Sequence, residues 1–414
     1  MGDKVGIISA NINADGTNGG GIVRIGGDYQ GKGTIPNASF TFVSKDSAIS
    51  VDSFTAGNGG RAIVWSDKNT GFYGNITAKG GSNSGNGGFI EISGKESLQF
   101  AGNVNTTASK GQTGTLLLDP KDITIDSSGV DSVAGQIFTF NPSVTTTISG
   151  ADLSKAIDSA SVTLQANNDI TINDNVTGTT SGNGLTLQAG RSITVNSNIN
   201  ITLNNGDFTA TINDQNASGA DRDPGTAQFV MNITSQIATN GGNLTIDVGS
   251  FGGVSIGQVI LDGATINSGN GNIKINGIGE DGISNSHGID IINSSVLQTT
   301  GTGTINLTGR GGNGTDGNYG IWLDNSKITT VDGNINLTGT GNGTGIQNRG
   351  ISIENGSAID ITGTGTITLT GVGGNGTDSN SGVSIDTSNL STVDGNINLT
   401  GTGNGTGIQN QGID

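Results

Sequence analysis

His287 is the only histidine of the chain and stands in the run Asn285, Ser286, His287, Gly288, Ile289, Asp290, the one place where an imidazole could carry a proton. Cleaving a glycosidic bond there would require carboxyl groups beside it, one to protonate the leaving oxygen and another to activate water. No Asp-Asp pair lies upstream of His287 and no Arg-Ile-Lys run follows it, so a histidine at a surface corner is the expectation. Residues 311–316 spell GGNGTD, and 373–378 repeat it. The run matches the start of a calcium-binding nonapeptide, whose next large apolar position is here Asn318 or Asn380. The recurrence is every 62 residues, far from the nonapeptide spacing, so a solvated loop is expected. Trp65, Tyr73, Tyr319 and Trp322 could stack on sugar rings, although Trp65 could equally cap a structural repeat. With methionine only at 1 and 231, the lone histidine has no axial partner for haem. No catalytic, cofactor-binding or metal-ligating residue is assigned, and no cofactor is expected.

The element that must position these side chains is a repeat. GNIKING begins at Gly271, GTINLTG at Gly303, GNINLTG at Gly333, GTITLTG at Gly365 and GNINLTG at Gly395, in steps of 32, 30, 32 and 30 residues. Each unit reads as three short strands, for example 334–338, 350–354 and 358–362, with apolar and polar residues alternating as on a half-buried strand. Laid one over the next, Ile273/Ile275, Ile305/Leu307, Ile335/Leu337, Ile367/Leu369 and Ile397/Leu399 predict one inward aliphatic column. Asn306, Asn336, Thr368 and Asn398 should point outward, and Thr308, Thr338, Thr370 and Thr400 should form an outer threonine row. Residues 162–176 match 185–199 at a shift of 23, room for three strands and three corners. GNGG at 57–60 and 85–88, 28 residues apart, marks tight corners where a positive φ is cheap only for glycine. Gly59, Gly87, Gly333 and Gly395 are the corner glycines of this scheme. Leu153 and Ile157, four apart, predict a short helix over a corner or a sheet edge.

Composition agrees. Glycine supplies 75 of 414 residues, where an average protein has roughly 7 per cent. Each glycine inside a helix costs up to about 1 kcal/mol relative to alanine, which disfavours a helical fold. Glycine does not recur at every third position and only 4 prolines are present, which excludes collagen. A transmembrane barrel needs aromatic girdles, yet beyond Phe251 only Tyr319 and Trp322 are aromatic. The expectation is an all-β, parallel β-helix solenoid of about 15 coils with Gly/Asn-rich corner loops, roughly 70 Å long at the usual strand spacing. Lysine and arginine total 17 against 34 aspartates and glutamates, a net charge of −17 that argues against nucleic acid as partner. No cysteine and no transmembrane segment are present, and no signal peptide is visible. Residues 330–351 recur at 392–413 with the single change of Arg349 to Gln411, after which the array stops, so the native polypeptide is expected to continue.

The first block has the most specific wording. RIGGDYQGKG, IVWSDKNTGFYG, GNGGFIEISGK and GTLLLDPKDITI follow one another between residues 24 and 125. In this order they resemble large bacterial exoproteins of the filamentous haemagglutinin type, secreted by the two-partner pathway. The resemblance covers about residues 5–126 and the LQA-containing coils at 162–200; beyond about 250 it is generic. It implies a right-handed parallel β-helix, export through an outer-membrane transporter partner, and adhesion. The family's secretion domain is absent from this sequence. His287 in its glycine-flanked run resembles one motif of β-helical polygalacturonases, without their aspartate cluster or Arg-Lys pair.

The expected organisation is a haemagglutinin-like β-helix block at 1–128 and an irregular connection with a short helix at 129–160. Coils of about 23 residues and longer follow at 161–248, then repeats of about 31 residues at 249–414. The expected function is a non-enzymatic stalk and adhesive segment of an exoprotein on the bacterial outer cell surface, with a cell-surface glycan or protein receptor as candidate partner. The competing expectation is a β-helical polysaccharide-degrading enzyme, lyase or glycoside hydrolase.

Overall fold

The structure, a computed structural model, describes residues 2–128, 146–217, 222–250 and 256–414. The connection expected over 129–160 therefore lies outside the described residues as far as 145. Contacts divide the chain into two units, Met1–Gln188 with Ala220–Arg222, and Ala189–Gly219 with Asp223–Asp414. Each is built of coils with three sides, and the sheets are parallel throughout, so the fold is a parallel β-helix.

In the second unit one coil runs through Ile335–Thr340, Ile351–Glu354 and Ala358–Ile361, within one or two residues of the strands read from the repeat. The next coil begins with Ile367–Val372, and the register is one for one: Ile335 on Ile367, Leu337 on Leu369, Gly339 on Gly371. Ile273, Ile275, Ile305, Leu307, Ile335, Leu337, Ile367 and Leu369 are all at most 1% exposed, as the inward column requires. Burying each such side chain stabilises the fold by about 1.5–3 kcal/mol. Ile397 belongs to the edge strand Ile397–Thr402 and is 41% exposed, so the column is open at that edge. Asn306 and Asn336 point outward and are joined by a 2.9 Å amide hydrogen bond, and Thr308 and Thr338 lie exposed beside them.

In the first unit Arg61–Ser66 lies on Phe89–Gly94 at the predicted shift of 28, Val64 over Ile92. Phe72 stacks on Phe100 with ring centroids 6.0 Å apart, so aromatic side chains fill the core here where aliphatic ones do in the later coils. The predicted helix exists at Gly150–Ile157, capped by Ser149, whose hydroxyl accepts the Asp152 N–H. It takes the place of a third-side strand. Ser159, just past it, meets the coil below by donating to the Val104 carbonyl, and Ser154 in the helix accepts the Thr177 N–H of the coil above. Leu153 and Ile157 are fully buried beneath it.

The corner glycines require a different explanation from the predicted one. Gly57 and Gly85, the first glycines of the two GNGG runs, do have positive φ, 94° and 115°. Gly59, Gly87, Gly333 and Gly395 do not; a Cβ there would fall 2.1, 1.7, 1.8 and 1.7 Å from a backbone oxygen of a neighbouring coil. They form columns where backbone lies directly on backbone, and any side chain would push two coils apart. The Thr330 hydroxyl closes one such corner by donating to the Gly333 carbonyl at 2.6 Å.

A second column is polar. Asn318, Asn348 and Asn380 are fully buried, and each carboxamide oxygen accepts the backbone N–H of the residue at the same corner one coil earlier, at 3.1, 3.0 and 2.9 Å. A buried N–H left unpaired costs about 1–3 kcal/mol, which is what the asparagines prevent. Ile335→Ala is expected to lower stability by about 2–5 kcal/mol in urea unfolding. Asn348→Leu should cost about 1–3 kcal/mol through the orphaned Asn318 N–H, whereas exposed Thr338→Ala should stay within about 0.5 kcal/mol.

Candidate functional site

Three consecutive coils of the second unit bring His287, Tyr319 and Arg349 to the same corner. Tyr319 lies between the other two: the His287 ring stacks on it at 4.7 Å and 19°, and the Arg349 guanidinium sits 5.8 Å from its centroid. The Tyr319 N–H donates to Nδ1 of His287 at 3.1 Å. On the adjoining strands, register places Asp290 beside Trp322 and Trp322 beside Ser352. The indole of Trp322 stands 5.2 Å from His287 and 6.2 Å from Tyr319, edge-on to the latter at 73°. Arg349 completes the patch by donating from Nη1 to Glu354 Oε1 at 2.7 Å and to the Ser352 hydroxyl at 2.9 Å.

This corrects the reading of His287 as a surface corner residue: it is 6% exposed, and burial drives its pKa down to about 4, so the ring is neutral. Burial likewise pushes Asp290 up to about 8 against the hydrogen bond that its Oδ2 accepts from Gln258 at 2.8 Å. Tyr319 is also raised, first by burial. Three buried polar atoms of the patch have no protein partner: Asp290 Oδ1, Trp322 Nε1 and Arg349 Nε. Trp65 and Tyr73, the other two aromatics read as sugar platforms, are covered, at 4% and 7% exposure. Tyr73 donates its hydroxyl to Gln99 at 2.6 Å, while a Cβ on Gly27 or Gly31 would strike the Trp65 ring.

The GGNGTD loops use their carboxylates on the backbone: Asp316 Oδ1 accepts the Ile346 N–H and Asp378 Oδ1 the Ile408 N–H, each at 2.8 Å. Asn318 and Asn380, which interrupt the calcium pattern, are members of the buried column. Among the described residues no group of three potential metal ligands assembles, and no helix is long and apolar enough to cross a membrane. A polar groove of about 390 Å³ elsewhere on the second unit is lined by Asp207, Thr209, Asn243, Asn272, Lys274 and Thr304.

Sequence reading also passes over a pair of acids in the first unit. The segment around the short 3-10 turn Tyr29–Gly31 folds over the outward side of the sheet as a strap. Beneath it Glu91 is fully buried and accepts the Gln30 N–H at 3.0 Å, and the Gln30 amide reaches Gln165, which reaches Gln188. Arg61 lies over the rings of Tyr29 and Phe89 at 4.7 and 5.0 Å. Burial pushes Glu91 up to about 8; the Gln30 N–H and Arg61 oppose the rise and the nearby Asp119 adds to it. Asp119 is pushed up to about 7 by burial, against Lys32 and the Gln30 side chain. Glu91 stands on the strand Phe89–Gly94, whose apolar run hides it in the sequence, and Asp119 directly follows the strand Thr115–Leu118.

Both carboxyls hold protons in the fold that the unfolded chain releases. Their contribution to stability is thus complete below the ordinary values of 4.5 for Glu91 and 3.8 for Asp119 and is lost as pH rises through about 8 and about 7 respectively. Glu91→Gln should flatten the fall in melting temperature between pH 5 and pH 8.5 and raise the melting temperature at the alkaline end, as read by calorimetry across that range. In the second unit Asp290 acts in the same sense, while neutral His287 opposes it between about 4 and its ordinary 6.5. No family model matches this chain, and no curated protein sequence matches it.

Proposed function

We propose that this chain is a non-enzymatic structural and adhesive segment of a secreted bacterial surface exoprotein. Its coils hold a changing set of outward side chains for repeated weak contacts with glycans or proteins on a cell surface. The observation that carries the reading is the contrast between the two sides of one strand position. Inward Ile266, Leu297, Ile328, Ile359 and Leu390 stay aliphatic from coil to coil, while the neighbouring outward row runs Thr265, Val296, Lys327, Ala358, Asn389. A scaffold that keeps its interior constant can vary its exterior without refolding, and contacts repeated on one scaffold gain from effective concentration. The resemblance of residues 5–126 to filamentous haemagglutinin-type exoproteins supports export through an outer-membrane transporter partner and display on the outer cell surface.

The rival reading is a β-helical polysaccharide-cleaving enzyme, favoured by one observation: Asp290, three residues from His287, keeps its proton at neutral pH and could serve as a general acid. Beads bearing many copies of the chain are expected to be retained on cells or immobilised glycans. Free chain should displace them only at roughly 100-fold higher concentration than multivalent competitor. Beads retained on no surface would count against adhesion, and reducing ends released from a polysaccharide, abolished by Asp290→Asn, would establish the enzyme instead.

A further inference from the structure

Residues 311–351 and 373–413 are two copies of one pattern, and their differences are informative. Inward positions exchange one aliphatic for another: Ile321 for Val383, Leu323 for Ile385, Ile328 for Leu390. Outward, Tyr319 becomes Ser381, Trp322 becomes Ser384 and Arg349 becomes Gln411, and these three side chains are the ones that meet in a single patch with His287 and Asp290. The fold does not need them, since the second copy forms the same strands in the same register with serine in place of both aromatics. Asn325, Lys327 and Thr329, which become Thr387, Asn389 and Ser391, are further outward changes, and Lys327 lies apart, paired with Asp360 at 3.1 Å.

We infer that His287, Asp290, Tyr319, Trp322, Arg349 and Glu354 form a subsite for an uncharged sugar ring, one hexopyranose unit of a surface polysaccharide. The aliphatic C–H face of a pyranose suits the half-exposed indole surface of Trp322, which the stacked His287 and Tyr319 rings back. Its hydroxyls, each both donor and acceptor, suit the mixed set of unpaired atoms, Asp290 Oδ1 as acceptor or acid and Trp322 Nε1 and Arg349 Nε as donors, which are sealed from solvent and open to a ligand when the half-exposed Trp322 and Arg349 side chains turn aside. Pairing an orphaned buried donor or acceptor recovers what its desolvation cost. The patch has little net charge to offer an anionic sugar, because Arg349 is neutralised by Glu354 at 2.7 Å and the His287 ring is neutral. The inference rests on the adhesive reading only for the origin of the sugar.

The test is titration of the full chain with neutral gluco-, galacto-, manno- and N-acetylhexosamine oligosaccharides, read by tryptophan emission. The chain has two tryptophans, and Trp65 is covered, so a saturable change reports Trp322. The expected result is saturation by at least one of these sugars. Calorimetry should show binding lost in Trp322→Ser and weakened about tenfold in Arg349→Gln. Both variants carry the residue found in the second copy, so unchanged circular dichroism is expected of both. Equal binding by Trp322→Ser, no binding of any neutral oligosaccharide at millimolar concentration, or binding of anionic sugars alone would each overturn the subsite. Beads of the Trp322→Ser variant that remain attached to cells while no neutral sugar binds would overturn the subsite and leave the adhesive function standing.

Discussion

Parallel strands stacked in register place every residue of one coil about 4.8 Å from its counterpart in the next. That spacing is the constraint to which the other features answer. Like must lie on like, and each residue type solves the problem differently. Isoleucine and leucine meet as methyl surfaces with no polar remainder. Asparagine in the 318, 348 and 380 column uses its amide to satisfy a backbone group of the neighbouring coil. Glycine at 333 and 395 yields the space altogether and lets backbone touch backbone. Charge is the type that stacks badly, which accords with only 12% charged residues in the chain.

Two of the places where titratable groups are buried are departures from like-on-like stacking. Under the strap, Ile63 pairs with Glu91 and Glu91 with Leu117, so a carboxyl takes a position between two aliphatic side chains. In the patch, Asp290 stands between Ile260 and Trp322. In each case the acid is desolvated by a bulky neighbour, and its proton affinity rises for that reason. Such positions are costly to maintain, since the neighbouring coils show that an uncharged residue fits.

The fold is legible in the sequence because its signal is periodic. The aliphatic pairs from Ile273 to Leu399 recur in phase, and alternation tells which side of the strand they take. The helix at Gly150–Ile157 is legible from two residues at helical spacing. The site is less so, for a geometric reason: the residues that cover His287 lie 32 and 35 positions away, at Tyr319 and Trp322, and single-unit reading treats each as an isolated aromatic near a loop. Asn318 is misread for the same cause, since an asparagine in a Gly/Asn loop looks solvated until its partner one coil away is identified. The signal that could find the patch is the comparison of the two copies at outward positions, where the one change between 330–351 and 392–413 is Arg349.

The backbone-on-backbone glycine columns have an implication for how such a chain can change length. With no side chain at that corner, the junction between coils contains nothing specific to either partner, and the same junction recurs at Gly271, Gly303, Gly333, Gly365 and Gly395. Slippage or unequal recombination within the corresponding coding repeats would therefore add or delete whole units without creating an ill-fitting joint. The number of coils then becomes a heritable quantity adjustable in steps of one duplication, independently of which side chains any unit displays.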